Sequence, residues 1–320
     1  MARFLLQRVI SSFLSIIGAT LIIFLLVQLH SDPRELFVPD SGYGLTQEQW
    51  DNLGEKMGFS DPLAIQYWNW ISGAFLGDLG VSLSQQIPVR DIITQRMWAT
   101  IELAIGGWAF AILLGIPTGV LAAVKRGTFW DYISRSVAIV GQGAPPFVIG
   151  LLLIVIFAVW LQDTPFELPA GGRPPVFNIK TYILPCIALG WPAAAGLMRL
   201  TRSAMLEVLD SEFVKLARAK GVGWNKVIYK HALKNALITP LTSALLLFSG
   251  WLNGALVIEI IFGWPGIGYD ALFTAVNDND FPLLQGTVFF FVIIFVIFAL
   301  MADLLYTIID PRVRITGEES

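Results

Sequence analysis

Three carboxylates interrupt long apolar stretches of this chain: Glu102, Glu259 and Asp303. An ionisable group inside such a stretch is costly, so it normally pairs, faces a bundle interior or water-filled cavity, or snorkels to an interface. Glu102 and Glu259 fall near the ends of their stretches, where snorkelling would serve. Asp303 has Tyr306 close by and Asp310, Arg312 and Arg314 just beyond, which favours structural pairing with that basic cluster. None of the three has the companion carboxylate or histidine chain that a proton relay needs. Thr242, Ser249 and Asn253 line up on one helical face, where such residues either join helices or line a solute path. His30 and His231 are too far apart to be ligands by spacing, and the lone Cys186 excludes an intramolecular disulfide and a cysteine-held metal cluster. There is no GxxxxGK[ST] phosphate loop, no His-Glu-x-x-His and no Gly-x-Ser-x-Gly. The chain therefore reads as carrying no metal, no cofactor and no catalytic residue of its own.

The elements that hold these groups belong to a membrane. The 320 residues are 55% hydrophobic and only 14% charged, and the mean hydropathy is +0.68; a soluble protein of this size is more polar. Six segments reach the roughly 20 apolar residues that a crossing needs: 9–29, 99–124, 133–161, 181–200, 236–262 and 283–309. Arg3 and Arg8 precede the first, which is too long for a signal-peptide core and has no small-residue cleavage pattern after it. Pro145 and Pro146 interrupt the third segment and Pro185 lies early in the fourth, either as packing kinks or as a hinge or constriction. With a cytoplasmic N-terminus, all of the 21 Lys and Arg except Arg34, Lys56, Arg90, Arg96, Arg173 and Lys180 fall on the cytoplasmic side. The positive-inside rule then places both termini there. The expected layout is an N-terminal transmembrane helix at 1–30, an extracytoplasmic segment at 31–97, a five-helix core at 98–310 and a cytoplasmic tail at 311–320. Within 31–97, short helices are expected around 46–58 and 62–76, the latter lying on the membrane surface because of its Trp and Tyr residues.

Between the fourth and fifth segments lies a basic, helix-prone loop at 201–235, too polar for a bilayer. Asp210 is a candidate N-cap with Glu212 in the first turn, and Gly221 is a helix stop, which bounds a helix of about 212–220. Phe213, Leu216 and Ala217 fall on one face, while Lys215, Arg218 and Lys220 spread over the rest. The result is a knob with an apolar tip and a basic collar. Lipid contact is a secondary role for it; nucleic acid is not expected, because basic runs beside spans are membrane-surface features.

At Ala217-Arg-Ala-Lys-Gly221, followed by His231-Ala-Leu-Lys-Asn-Ala-Leu, the sequence resembles the cytoplasmic coupling loop of ABC importer permeases of the dipeptide and oligopeptide type. Gly77-Asp-Leu-Gly-Val-Ser82, Thr100-Ile-Glu-Leu-Ala104, Pro146-Phe147 with Gly150-Leu-Leu, Glu259-Ile-Ile-Phe-Gly-Trp-Pro-Gly-Ile-Gly268, Asp303-Leu-Leu-Tyr and Asp310-Pro-Arg312 continue the resemblance along nearly the whole chain. The general importer motif opens Glu-Ala-Ala and closes near Leu-Pro. Here Lys215-Leu-Ala217 and Leu233-Lys234 stand instead, which narrows the branch to the peptide type. The resemblance implies an all-α, type I permease core in the bacterial inner membrane, paired with a second, homologous permease. Two cytoplasmic ATPases, which bind ATP and magnesium, and an extracytoplasmic solute-binding protein complete the assembly. Phe213, Leu216, Ala217, Arg218, Ala219, Lys220 and Gly221 would form the ATPase contact. Peptides lead among cargoes, with nickel, glutathione and oligosaccharides as alternatives. A self-sufficient secondary transporter or channel is the competing class, and it has no use for the basic knob.

Overall fold

The computed structural model describes residues 2–30, 46, 61–174 and 177–309. Among the described residues the chain is helical, with a lone bridge between Val81 and Pro88 and no strand. In chain order the helices are α1 (Ala2–His30), α2 (Leu63–Phe75), α3 (Val89–Val124), α4 (Phe129–Gly143), α5 (Pro146–Ile154), α6 (Ile179–Leu209), α7 (Glu212–Ala219), α8 (Trp224–Lys226), α9 (Leu233–Ala236), α10 (Ile238–Gly254), α11 (Leu256–Ile261), α12 (Thr274–Asn277) and α13 (Phe281–Ile309). π-helical turns at Val155–Trp160, Val227–Ala232 and Ile267–Phe273 join some of them.

Among the described residues, four helices are long and apolar enough to cross a bilayer, within α1, α3, α6 and α13. The third expected segment is not one straight crossing: α4 and the helix from Pro146 to Trp160 meet at 103°. The cause is local. A proline pushes the residue before it out of the α region, and with two in succession both Ala144 (ψ 123°) and Pro145 (ψ 144°) are extended. The fifth expected segment is also divided, into α10 and α11, and its continuous apolar helix at Ile238–Phe248 is shorter than a crossing. The short helix foreseen around 46–58 lies outside the described residues save Thr46. The one foreseen at 62–76 is α2, which buries Ile71 and Ala74 and exposes Leu63, Ile65, Trp68 and Phe75.

The chain divides into two compact units, one of residues 1–98 with 266–297 and one of 99–265 with 298–320. In the first, Tyr67 and Trp70 of α2 pack on Phe24, and the Tyr67 and Thr20 hydroxyls share a 2.9 Å hydrogen bond. Val89, Ile92 and Ile93 form a second cluster with Ile267, Ala271, Ala275 and Leu283. Asp280, fully buried, accepts hydrogen bonds from the Ser82 and Ser84 hydroxyls and from the Ser84 and Leu283 N–H groups. Burial by itself would raise this carboxyl, but those donors, Ser82 first, outweigh it and hold it below its ordinary value.

The second unit is built on α6. Small residues let α3 approach it closely: a Cβ on Gly115 would lie 2.6 Å from the Ala194 carbonyl oxygen, and one on Gly119 2.6 Å from that of Met198. α4, α5 and α10 also pack against α6. Pro185 and Pro192 sit inside it without breaking it. Two indoles tie neighbouring elements, Trp108 donating to the Ala244 carbonyl and Trp264 to that of Ala99, each at 2.8 Å.

Candidate functional site

The knob between α6 and α10 is a single short helix, α7, whose ends are fixed by local chemistry. At its C-terminus the Val222 N–H bonds the Ala217 carbonyl and the Gly221 N–H that of Arg218, with Gly221 at φ +80°. That is a Schellman ending, which only a residue tolerant of positive φ completes without strain. The N-terminus corrects the sequence expectation. Ser211, extended at ψ 153°, occupies the N-cap position, and its hydroxyl donates back to the Val208 carbonyl. Asp210 instead closes α6, with its carboxylate 3.9 Å from Arg126.

The faces of α7 also differ in part from expectation. Val214 is fully buried, and the helix rests on the turn Val227–Ala232 and on the end of α6. Ala217 is half-buried, so it belongs to the flank of the supported side. Phe213 and Leu216 stand 47% and 57% exposed. Arg218, Ala219 and Lys220 are exposed too, with the Arg218 guanidinium 5.1 Å from the Trp224 ring centre. The sequence pattern selected apolar residues but could not say which were already covered. Val214 is the residue it missed, and it is the one that holds the tip outward.

Beneath α7 the turn Val227–Ala232 belongs to a core cluster of Val120, Ala123, Met205, Ile228, Ala232 and Ala236. Near the same end of α6, Arg202 grips Asp131 of α4 with two bonds of 2.8 and 3.0 Å, and the Gly127 N–H adds a third donor. Asp131 is 2% exposed and Arg202 20%. Sequence reading counted Arg202 only as a topological charge and passed over Asp131, since nothing local joins residues so far apart.

A cavity of about 1040 Å³ lies against α6 and α10 and reaches Gln142 and Pro146 at the bend. Its polar groups are Gln142, Arg199, Ser203 and Ser243, set among apolar side chains such as Leu246 and Trp251. Ser243 and Gly250 of α10 line it; Thr242 is not among the described lining residues, and its hydroxyl bonds back to the Ile238 carbonyl. Ser249 and Asn253 lie within α10, with side chains outside the described residues, and the same holds for Asp303 within α13. Pro145 and Pro146 form the bend itself. Glu259 does not snorkel: it is fully buried and accepts a 2.7 Å bond from Thr100. Glu102, one-third exposed, is held by a two-point Arg173 fork and by the Tyr182 hydroxyl.

Two family descriptions match the sequence. Residues 115–315 match the binding-protein-dependent transport system inner membrane component. The chain belongs to this family. Residues 1–104 match the N-terminal region of the same kind of membrane component. Among its relatives, the dipeptide transport system permease protein DppB of Alkalihalophilus pseudofirmus is 36% identical, over 98% of this chain and 100% of that protein. The glutathione transport system permease protein GsiC of Escherichia coli K12 is 33% identical, over 98% and 99%. Among solved structures, the MetNI methionine ABC transporter, in an inward-facing crystal form, matches with a TM-score of 0.54 at 16% identity, over 68% of this chain and 96% of that one. At that identity the likeness concerns the fold. This family member is thus a multi-pass membrane permease component.

Proposed function

We propose that this chain is the permease subunit of an ATP-driven importer for peptides or related small solutes, glutathione-like ones included, and that α7 is its coupling helix. The observation that carries the reading is the exposed pair Phe213 and Leu216, set on a helix that buried Val214 fixes to the chain. Exposed apolar side chains on a rigid, otherwise basic element suit a protein cleft better than water. Two cytoplasmic ATPases, binding ATP and magnesium, take up this tip, and an extracytoplasmic binding protein delivers the solute. A second, homologous permease completes the path. ATPase closure displaces α7 together with α6 and α10, and the cavity carrying Gln142, Arg199, Ser203 and Ser243 is this subunit's share of the path. Both termini are cytoplasmic, and α10 with α11 makes the fifth of six crossings. The names of the dipeptide and glutathione relatives support the cargo class.

The test is co-purification of the chain with its candidate ATPases, and uptake of peptides into vesicles driven by ATP. Leu216→Asp places a charge in the apolar contact and weakens ATPase association by about 30-fold or more, with the membrane part still folded. Lys215→Gln, on the collar of the same helix, leaves association unchanged. Undiminished docking of the Leu216 variant assigns the contact to another face. Solute uptake by the chain alone, without ATPases, supports a secondary transporter and overturns the permease reading.

A further inference from the structure

A second cavity, of about 260 Å³, opens between α3 and α4 with α6 as its floor. On α3, Leu114, Thr118 and Leu121 form one stripe, and Trp130 and Val137 of α4 face them. The floor is lined by Ala194 and Ala195 of α6, with Trp191 and Met198 beside them. Thr118 does not make the groove polar, since its hydroxyl bonds back to the Leu114 carbonyl. Leu114, Leu121, Trp130 and Val137 are all exposed, as walls of an apolar groove facing out of the unit.

The groove has a charged end. The Lys125 N–H bonds the Leu121 carbonyl, so the helical course continues one step past α3 and sets Lys125 on the stripe of Leu114, Thr118 and Leu121. Lys125 is exposed and has no acidic partner among the described residues. The nearby acid, Asp131, is committed to Arg202 and the Gly127 N–H and does not neutralise it. Arg126, next in sequence, adds a second exposed cation. An apolar slot ending in cations, with a tryptophan at the border, has the polarity profile of one phospholipid: acyl chain, interface, anionic head group.

We propose that this groove is an acyl-chain site for an anionic phospholipid whose phosphate pairs with Lys125. The lipid head lies beside the contact of Arg126 with Asp210, which links the α3–α4 turn to the α6–α7 turn. Its occupancy therefore bears on the base of α7 without touching the exposed tip.

Trp130 makes the site measurable. The purified complex is placed in phosphatidylcholine vesicles containing a minor fraction of either phosphatidylglycerol or phosphatidylcholine with brominated acyl chains, which quench indole fluorescence on contact. The Trp130 contribution is the difference between the wild type and Trp130→Phe. Brominated phosphatidylglycerol is expected to occupy the site about fivefold more readily than brominated phosphatidylcholine, the preference of one well-placed cation. Lys125→Gln brings the two lipids to parity, and Thr118→Phe, which fills the groove from its open side, lowers quenching by both. Equal quenching by both lipids in the wild type overturns the proposal. So does a Trp130 signal that neither lipid quenches, as a protein subunit seated on the groove would give.

Discussion

α6 is clasped near each end by an arginine–carboxylate fork, and the two forks differ in everything except their chemistry. Arg202 near its C-terminus holds Asp131, while near its N-terminus Tyr182 joins the fork of Arg173 on Glu102. The two sites are about 30 Å apart along the helix axis, close to the thickness of a bilayer's hydrocarbon core. At the first, the carboxylate is buried and both partners sit on packed helices. At the second, both groups are about one-third exposed and the arginine comes from a loop. A buried charge left without its partner is far more costly than an exposed one. The Asp131–Arg202 fork is therefore a fixed joint beneath α7, and the Glu102–Arg173 fork an adjustable clasp.

The largest effect separates them directly. Arg202→Met leaves the Asp131 carboxylate uncompensated and should destabilise the second unit by about 3–5 kcal/mol, read as a fall in the thermal midpoint of the purified protein. Asp131→Leu combined with Arg202→Met should recover most of that loss, because an apolar pair has no charge to strand. The smaller effect belongs to Arg173→Met, which should cost no more than about 1 kcal/mol, since the Tyr182 hydroxyl and solvent still reach Glu102. That loss should also shrink in high salt, as the loss at Arg202 should not. Equal losses at the two arginines would break the distinction between joint and clasp.

What the sequence revealed about these sites follows from how local the information is. The extent of α7 was legible because its ending is local, with the Gly221 N–H bonded to the Arg218 carbonyl and the Val222 N–H to that of Ala217. The long apolar helices were legible for the same reason. The 103° break at Pro145 and Pro146 was visible as proline but not as an angle, while Pro192 inside α6 left that helix whole. The difference lies in number and surroundings. One proline costs a single backbone bond, which a helix packed on several sides can absorb, whereas two in succession force two extended residues. Ala217 was indistinguishable from the tip residues, and Val214 went unselected, until the support under α7 was known. Asp131 and Arg202, and likewise Glu259 and Thr100, are separated by too much chain for spacing to join them.

Asp280 sharpens the comparison by removing the cation altogether. Its carboxylate is as buried as that of Asp131, yet the donors around it are hydroxyls and backbone N–H groups from Ser82, Ser84 and Leu283. Because these hold its folded-state value below the ordinary 3.8, its ionised form contributes stability that is present in full above the unfolded value. That contribution is lost as pH falls through about 4 and below. Asp280→Asn should thus lower the thermal midpoint at neutral pH, and the gap between variant and wild type should narrow on acidification through that window. Salt should leave the gap unchanged, because among the described residues its bonding partners carry no second charge to be screened. A gap independent of pH would mean that Asp280 contributes through shape and neutral hydrogen bonding alone, and that a buried carboxylate in this fold needs an arginine before its charge matters.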